Sequence, residues 1–305
     1  MANSVIRLAL AFTLVLALPC FGPARAEPPP VAIGFYLPVI RDLPRKDVEV
    51  SLRFWVEELA RSMGLTYEPI QMYDDLASLR RDLVSGKLNF LVTTAIGAVK
   101  HFAPEELADG FSGYKQEANH LLLVVRRDTG ISTPGDLAGK RIALTESDEL
   151  SDLYLETLLL KAWGQADWKR LGPITREQRS SKLAHRLFFG QADAALLYRN
   201  GYQAALALNP QLGQRLQVLE AYSLKIRSPH IGLFSAQVRP EDREAITQAA
   251  LRLNETARGR QVLQIYLADG MVRTQLRDLA PFRELLETHR KLLARNQGKA
   301  ESERK

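Results

Sequence analysis

The sequence has a single cysteine, Cys20, and it lies in the apolar opening segment. The rest of the chain can therefore form no internal disulfide and hold no thiolate metal site. The histidines, His101, His120, His185, His230 and His289, include no pair spaced for one helix face, so no metal centre is expected. No Gly-x-Ser-x-Gly, phosphate loop or dinucleotide fingerprint occurs, and no nucleophile is paired with a base. These absences argue against an enzyme and against a resident cofactor. The acids between 146 and 152 lack the alternating oxygen ligands and central glycine of a calcium loop.

Long hydrophobic runs are also missing, apart from Leu8–Leu18. That run follows Arg7 and precedes Ala24-Arg25-Ala26, the pattern of a secretory signal peptide over residues 1–26, and it is shorter than the roughly 20 residues a membrane-crossing helix needs. Leu18-Pro19 stand where a lipoprotein signal has small residues, so lipidation of Cys20 is disfavoured. An exported chain without cysteine pairs is expected in a bacterial periplasm.

A surplus of one charge sign is absent from the body of the chain. Two basic residues in the leader and a net four in Arg290–Lys305 account for the whole charge of +6, leaving 33 of each sign in residues 27–289. No basic stripe is left for a nucleic-acid backbone. The polar tail, residues 291–305, lacks apolar periodicity and reads as disordered.

What is present is an alternation of strand and helix patterns. Val31–Tyr36, Thr66–Met72 and Asn89–Thr94 read as strands, separated by apolar residues at helical spacing that stop at Gly64 and Gly86. A second series follows: strands at Asn119–Arg126, Lys140–Leu144, Trp168–Ile174 and Asp193–Tyr198, with helices at Asp148–Trp163 and Gln178–Phe189. Two stretches echo each other, Gly86-Lys87-Leu88-Asn89 and Gly190-Gln191-Ala192-Asp193, each a helix stop followed by a buried strand. A strand at His230–Ala236 and a helix opening at Pro240-Glu241-Asp242 lead into two further helices. About 280 residues after the leader exceed what one core usually supports, so two α/β lobes with parallel sheets are expected. The lobes are read as 27–122 plus 233–290 and 123–232, with hinge crossings near Leu121–Arg127 and Ser228–Leu233. Trp55, Trp163 and Trp168 read as packing residues.

Several segments resemble the periplasmic phosphate/phosphonate-binding proteins of ABC importers. They are Tyr73-Asp74-Asp75-Leu76, Gly86-Lys87-Leu88-Asn89-Phe90, Asp128-Thr129-Gly130-Ile131, Asp136-Leu137-Ala138-Gly139-Lys140-Arg141-Ile142-Ala143 and Gly190-Gln191-Ala192-Asp193-Ala194-Ala195. The resemblance implies the two-lobe type 2 periplasmic binding-protein fold, each lobe an open, mostly parallel sheet flanked by helices. One departure stands out: Thr145-Glu146-Ser147-Asp148-Glu149 replaces the Ser/Thr-Ser-Gly cluster of phosphonate binders. If Glu146 faced the cleft, it would oppose a ligand anion about 4 Å away by about 4 kcal/mol at an effective dielectric of 20, which argues against simple phosphate or phosphonate.

In open α/β sheets ligands sit beyond the carboxyl ends of the strands. The candidates are thus Tyr36, Tyr73, Thr93, Thr94, Thr145, Glu146, Ser147 and Tyr198. Thr93 and Thr94 precede a helix start and could hold a polar ligand; the plainer alternative is an ordinary threonine N-cap. The three tyrosines could clamp a ligand or merely pack on the sheet. Glu146 could meet a cationic ligand group, or the acids of this turn could simply cap their own helix. The implied function is capture of a small polar solute by lobe closure and delivery, as a monomer, to a membrane permease. The alternative is a ligand-sensing accessory protein for a membrane histidine kinase.

Overall fold

The computed structural model describes residues 30–39, 45–63, 66–115, 120–178, 180–224, 230–265 and 268–302. The leader, 1–26, lies outside them. The strands are β1 (Ile33–Tyr36), β2 (Gln71–Tyr73), β3 (Phe90–Thr94), β4 (Leu107–Ala108), β5 (Gly110–Tyr114), β6 (His120–Arg126), β7 (Ile142–Thr145), β8 (Ile174–Glu177), β9 (Ala194–Tyr198), β10 (Leu216–Ser223), β11 (His230–Ser235) and β12 (Gly270–Thr274). The helices are α1 (Arg45–Met63), α2 (Leu76–Val84), α3 (Ala95–His101), α4 (Glu149–Trp163), α5 (Ser180–Phe188), α6 (Arg199–Leu208), α7 (Leu212–Arg215), α8 (Pro240–Leu251), α9 (Ala257–Ile265) and α10 (Ala280–Ser302). Among the described residues no helix is long and apolar enough to cross a membrane.

Two five-stranded sheets form, in the orders β2-β1-β3-β11-β4 and β10-β6-β9-β7-β8, with β12 and β5 paired separately. In each sheet three strands run parallel, β2, β1 and β3 in one and β8, β7 and β9 in the other, and one antiparallel strand borders them. The apolar runs of β6 and β9 are buried along nearly their whole length, as expected of strands covered on both faces. These two helix-flanked open sheets are the α/β, two-lobe arrangement that the resemblance implies.

The echoed stretches turn out to be one construction used twice. Gly86 and Gly190 take left-handed φ values of 79° and 68°, where a side chain would be strained. Three residues later Asn89 accepts from Ala32 N (2.9 Å) and donates to Pro30 O (2.7 Å), fastening β3 to the strand beside it. Asp193 does the same for β9, accepting from Arg141 N (2.9 Å) and, at both oxygens, from the Arg141 guanidinium (3.0 and 2.7 Å).

Apolar clusters hold the layers, the smallest around Phe35, Val48 and Leu52 of β1 and α1. One joins α1, α8 and α9 to the first sheet around Trp55, Phe90, Phe111 and Phe234. Another joins α5 and α6 to the second sheet around Leu183, Leu187 and Tyr202. The largest is continuous between the two sheets: it takes in Leu91 of the first sheet and Leu79 of α2, Leu123 and Leu196 of the second sheet, and Tyr154 of α4 and Phe282 and Leu285 of α10. The sheets are thus coupled by packing as well as by chain crossings. α10 packs on both α3 and α4, and two polar contacts tie it to the second sheet's side: His289 Nε2 lies 2.9 Å from Glu156 Oε2, and the Tyr222 hydroxyl donates to Pro281 O at 2.7 Å.

Several local expectations are corrected. The strand expected at Thr66–Met72 is confined to Gln71–Tyr73, with Tyr67 making only an isolated bridge to Val31; Pro69 supplies no N–H to a longer ladder. Trp168–Arg170 is a single 3₁₀ turn capped by Asp167, and the strand begins at Ile174, after Gly172-Pro173. Leu121–Arg126 and Ile231–Leu233 lie inside β6 and β11; the crossings fall between Tyr114 and His120 and between Ser223 and His230, with 116–119 and 225–229 outside the described residues. The tail does not become irregular after Leu293: α10 runs to Ser302, because its residues there are mostly good helix formers extending an already packed helix. β4, β5, β10 and β12 were not anticipated.

Candidate functional site

The two antiparallel strands enter their sheets where the parallel strands end. His230 opens β11 opposite Thr94, the last residue of β3, and His120 opens β6 one residue before Leu121, which faces Tyr198 at the end of β9. Both crossings therefore reach the carboxyl edges of the sheets, where a ligand site is expected.

On the first sheet, Thr93 is completely buried and its hydroxyl has no hydrogen-bond partner. Thr94 caps α3, its Oγ1 accepting from Gly97 N at 3.0 Å. A Cβ on Gly97 would fall 3.0 Å from Thr93 Oγ1, 2.8 Å from Thr94 Oγ1 and 2.8 Å from Leu76 Cδ1. The two hydroxyls and the α3 N-terminus thus crowd one point, and only glycine fits there. Tyr36 is half-buried beside them: continuing the register Phe35↔Val92 puts it level with Thr93.

On the second sheet, Thr145 ends β7 with 3% of its surface exposed, and its hydroxyl too has no partner. The chain then turns sharply. Glu146 N donates to Glu177 O (2.9 Å), and Ser147 adopts φ 51°, the one non-glycine residue with positive φ among the described residues. Asp148 caps α4, accepting from Ser151 N (3.4 Å) and Ser151 Oγ (2.7 Å), and the Tyr198 hydroxyl donates to its Oδ1 at 3.1 Å.

The acids of this turn have separate tasks. Asp148 caps, Glu149 reaches Lys100 of α3 at 3.1 Å, and Asp152 pairs with Arg176 at 3.0 Å. Burial pushes the Asp152 carboxyl above the usual range despite that arginine. Glu146 is exposed at the surface of the turn.

The structure thus brings Tyr36, Thr93 and Thr94 together at one carboxyl edge and Thr145, Ser147 and Tyr198 together at the other, with Glu146 beside the latter group. Tyr73 is the exception. Its hydroxyl donates to Asp82 Oδ2 (2.6 Å) and Gln71 Oε1 (2.9 Å), its ring covers Gly34, and burial raises its pKa further. It is a packing residue turned away from the strand ends, because Gly34 leaves a space that the ring fills. Sequence reasoning passed over Gly97 and Lys100, weighed Asp148 and Glu149 only as caps of their own helix, and read the histidines only for metal spacing. An aspartate three residues before Ser151 was a legible cap, but contacts between α3 and α4 had no local signal.

Two surface cavities lie elsewhere. One of about 240 Å³ is lined by Asp109, Arg243, Glu244 and Arg273 at the start of α8, and one of about 200 Å³ by Lys182, His185, Arg186 and Phe189 on α5. Neither includes a strand-end candidate. Among the described residues no group of acids and histidines could hold a metal ion.

Residues 40–279 match the family described as ABC transporter, phosphonate, periplasmic substrate-binding protein. No curated protein matches the chain. Among solved structures, XAC2383 of Xanthomonas citri, solved with ATP, aligns over 86% of this chain and 98% of its own at 13% identity and a TM-score of 0.64. PhnD1 of Prochlorococcus marinus, solved with methylphosphonate, aligns over 86% and 98% at 14% identity and a TM-score of 0.59. The aliphatic sulphonate-binding protein SsuA of Escherichia coli aligns over 89% and 94% at 15% identity and a TM-score of 0.51. At these identities the likeness is one of fold.

Proposed function

The chain belongs to the family of periplasmic substrate-binding proteins of phosphonate ABC transporters, and from that premise we propose that it captures a small oxyanion-bearing solute between the carboxyl edges of its two sheets. In this reading the first lobe ends at the crossing after Tyr114 and resumes at His230, the second runs from His120 to Ser223, and α10 packs on both. The protein carries out no chemistry on the solute and releases it to a membrane permease.

The supporting observation is the pair of buried, unpartnered hydroxyls, Thr93 and Thr145, at equivalent strand ends. A buried donor without a partner costs about 1–3 kcal/mol. An oxyanion accepting from both would recover that cost and would also meet the free N–H groups at the starts of α3 and α4. Tyr36, Thr94, Ser147 and Tyr198 would border the ligand. The exposed Glu146 beside this edge favours a solute that also carries a cationic group, such as an aminophosphonate, over inorganic phosphate.

A thermal-shift titration with phosphate, alkylphosphonates, sulfonates and aminophosphonates tests the reading. A true ligand at a hundredfold excess over its Kd adds about 2.7 kcal/mol of stability, and T93V and T145V should each abolish most of that shift while folding normally. A flat response to the whole panel, or full binding by both valine variants, would overturn it.

A further inference from the structure

The helices that start at the two strand-end groups also touch each other. Lys100 Nζ, near the end of α3, lies 3.1 Å from Glu149 Oε2, at the start of α4, and His101 Nε2 lies 3.5 Å from the same oxygen. α3 follows the first sheet's β3 and α4 follows the second sheet's β7, so this contact joins the two halves of the molecule directly beside the candidate site. Lys100 and Glu149 each sit at the helix end whose dipole favours their charge, the ammonium near a C-terminus and the carboxylate at an N-terminus. In this turn Asp148 accepts from Ser151 and Tyr198 and Asp152 pairs with Arg176, within the second sheet's half, while Glu149 reaches across to α3.

We propose that Lys100 and Glu149 are positioning residues for solute capture: their ion pair latches the α4 N-terminus against α3 and holds Thr145 opposite Thr93 in the closed arrangement. The inference rests on the reading that the solute is taken between the sheets. All three side chains are a third to a half exposed, which keeps the pair weak. A weak latch suits a reversible binder, because it biases closure and leaves the solute to complete it. The expected effect is a two- to fivefold change in the closed population, equivalent to about 0.4–1 kcal/mol.

The test is a double-mutant cycle of K100Q, E149Q and K100Q/E149Q, read as the distance distribution between spin labels on V84C of α2 and L208C of α6, two exposed positions on opposite halves. Without any solute, each single variant should shift the population towards the open form two- to fivefold, and the double variant should shift it no further than E149Q does. The same variants should release methylphosphonate, or whichever oxyanion the thermal screen identifies, two- to fivefold faster with little change in association rate. Unchanged distributions, or single effects that simply add, would overturn the latch. Because the distances are measured without solute, the latch can fail while capture stands, and a protein that binds none of the panel can still reveal the latch.

Discussion

The Tyr198 hydroxyl donates to Asp148 Oδ1 across 3.1 Å, tying the end of β9 to the cap of the helix that follows β7. That carboxylate also takes Ser151 N and Ser151 Oγ and is only 3% exposed. Losing an N-cap costs about 0.5–2 kcal/mol, and D148A would also strip the tyrosine of an acceptor. D148A should therefore fall at or above the top of that range in urea unfolding. Y198F, which removes the hydrogen bond to Asp148 and leaves the cap intact, should lose less, on the order of 0.5–1.5 kcal/mol for that bond.

Glycine to alanine inside a helix usually stabilises by about 1 kcal/mol. At Gly97 the order should reverse, since the new methyl would press on Leu76 Cδ1 and on both threonine hydroxyls at 2.8–3.0 Å. G97A should lower the melting temperature and weaken oxyanion binding together. Gly213 of α7 is the control: its added methyl meets only Leu206 Cδ2 at 3.6 Å, so G213A should leave both measurements near wild type or raise stability slightly.

How far these features were legible in the sequence follows from the range of the interactions. The glycine stops at Gly86, Gly164 and Gly190 and the buried runs of β3, β6 and β9 are local signals, and they set the order of elements. β5 and β12 were hidden because Gly110, Gly113 and Gly270 lower strand propensity, while the pairing that builds them joins residues far apart in the chain. Tyr73 and Tyr36 both end strands and look alike in sequence. Only the space above Gly34 and the carboxylate of Asp82 send Tyr73 away from the edge. Lys100 and Glu149 meet through the placement of one sheet against the other, which no local pattern encodes.

Ser147 holds a left-handed backbone, φ 51°, in the turn between Thr145 and the cap of α4. That conformation costs a residue with a side chain about 1–2 kcal/mol, and strain of this kind is kept where the surrounding structure makes use of it. S147G should stabilise the ligand-free protein by about 1 kcal/mol in urea unfolding. If the strain serves to aim the serine at the solute, the same variant should bind oxyanion more weakly, separating stability from affinity. S147A keeps the strain and lacks the hydroxyl, so it should lose affinity without gaining stability.

Acid should unfold the protein over a window set by its paired carboxylates. The Arg141 guanidinium holds Asp193 below the usual carboxylate range, the Arg273 guanidinium holds Glu244 down at about 2, and the N–H and hydroxyl groups of Ser132 and Thr133 hold Asp136 at about 2. Each of these folded values lies below the unfolded one, so each group's stabilisation is fully present above the unfolded carboxylate pKa of about 4 and is lost as pH falls through the folded value. The urea midpoint should therefore stay level from pH 7 to about 5 and drop steadily between about 4.5 and 2. D193N should lower the midpoint at pH 7, because Arg141 loses its paired carboxylate where β7 and β9 are fastened, and it should flatten the acid limb, because one of the titrating groups is gone. A midpoint that climbs as pH falls from 5 to 3, or a D193N acid limb as steep as the wild type's, would show that these pairings do not govern the acid response.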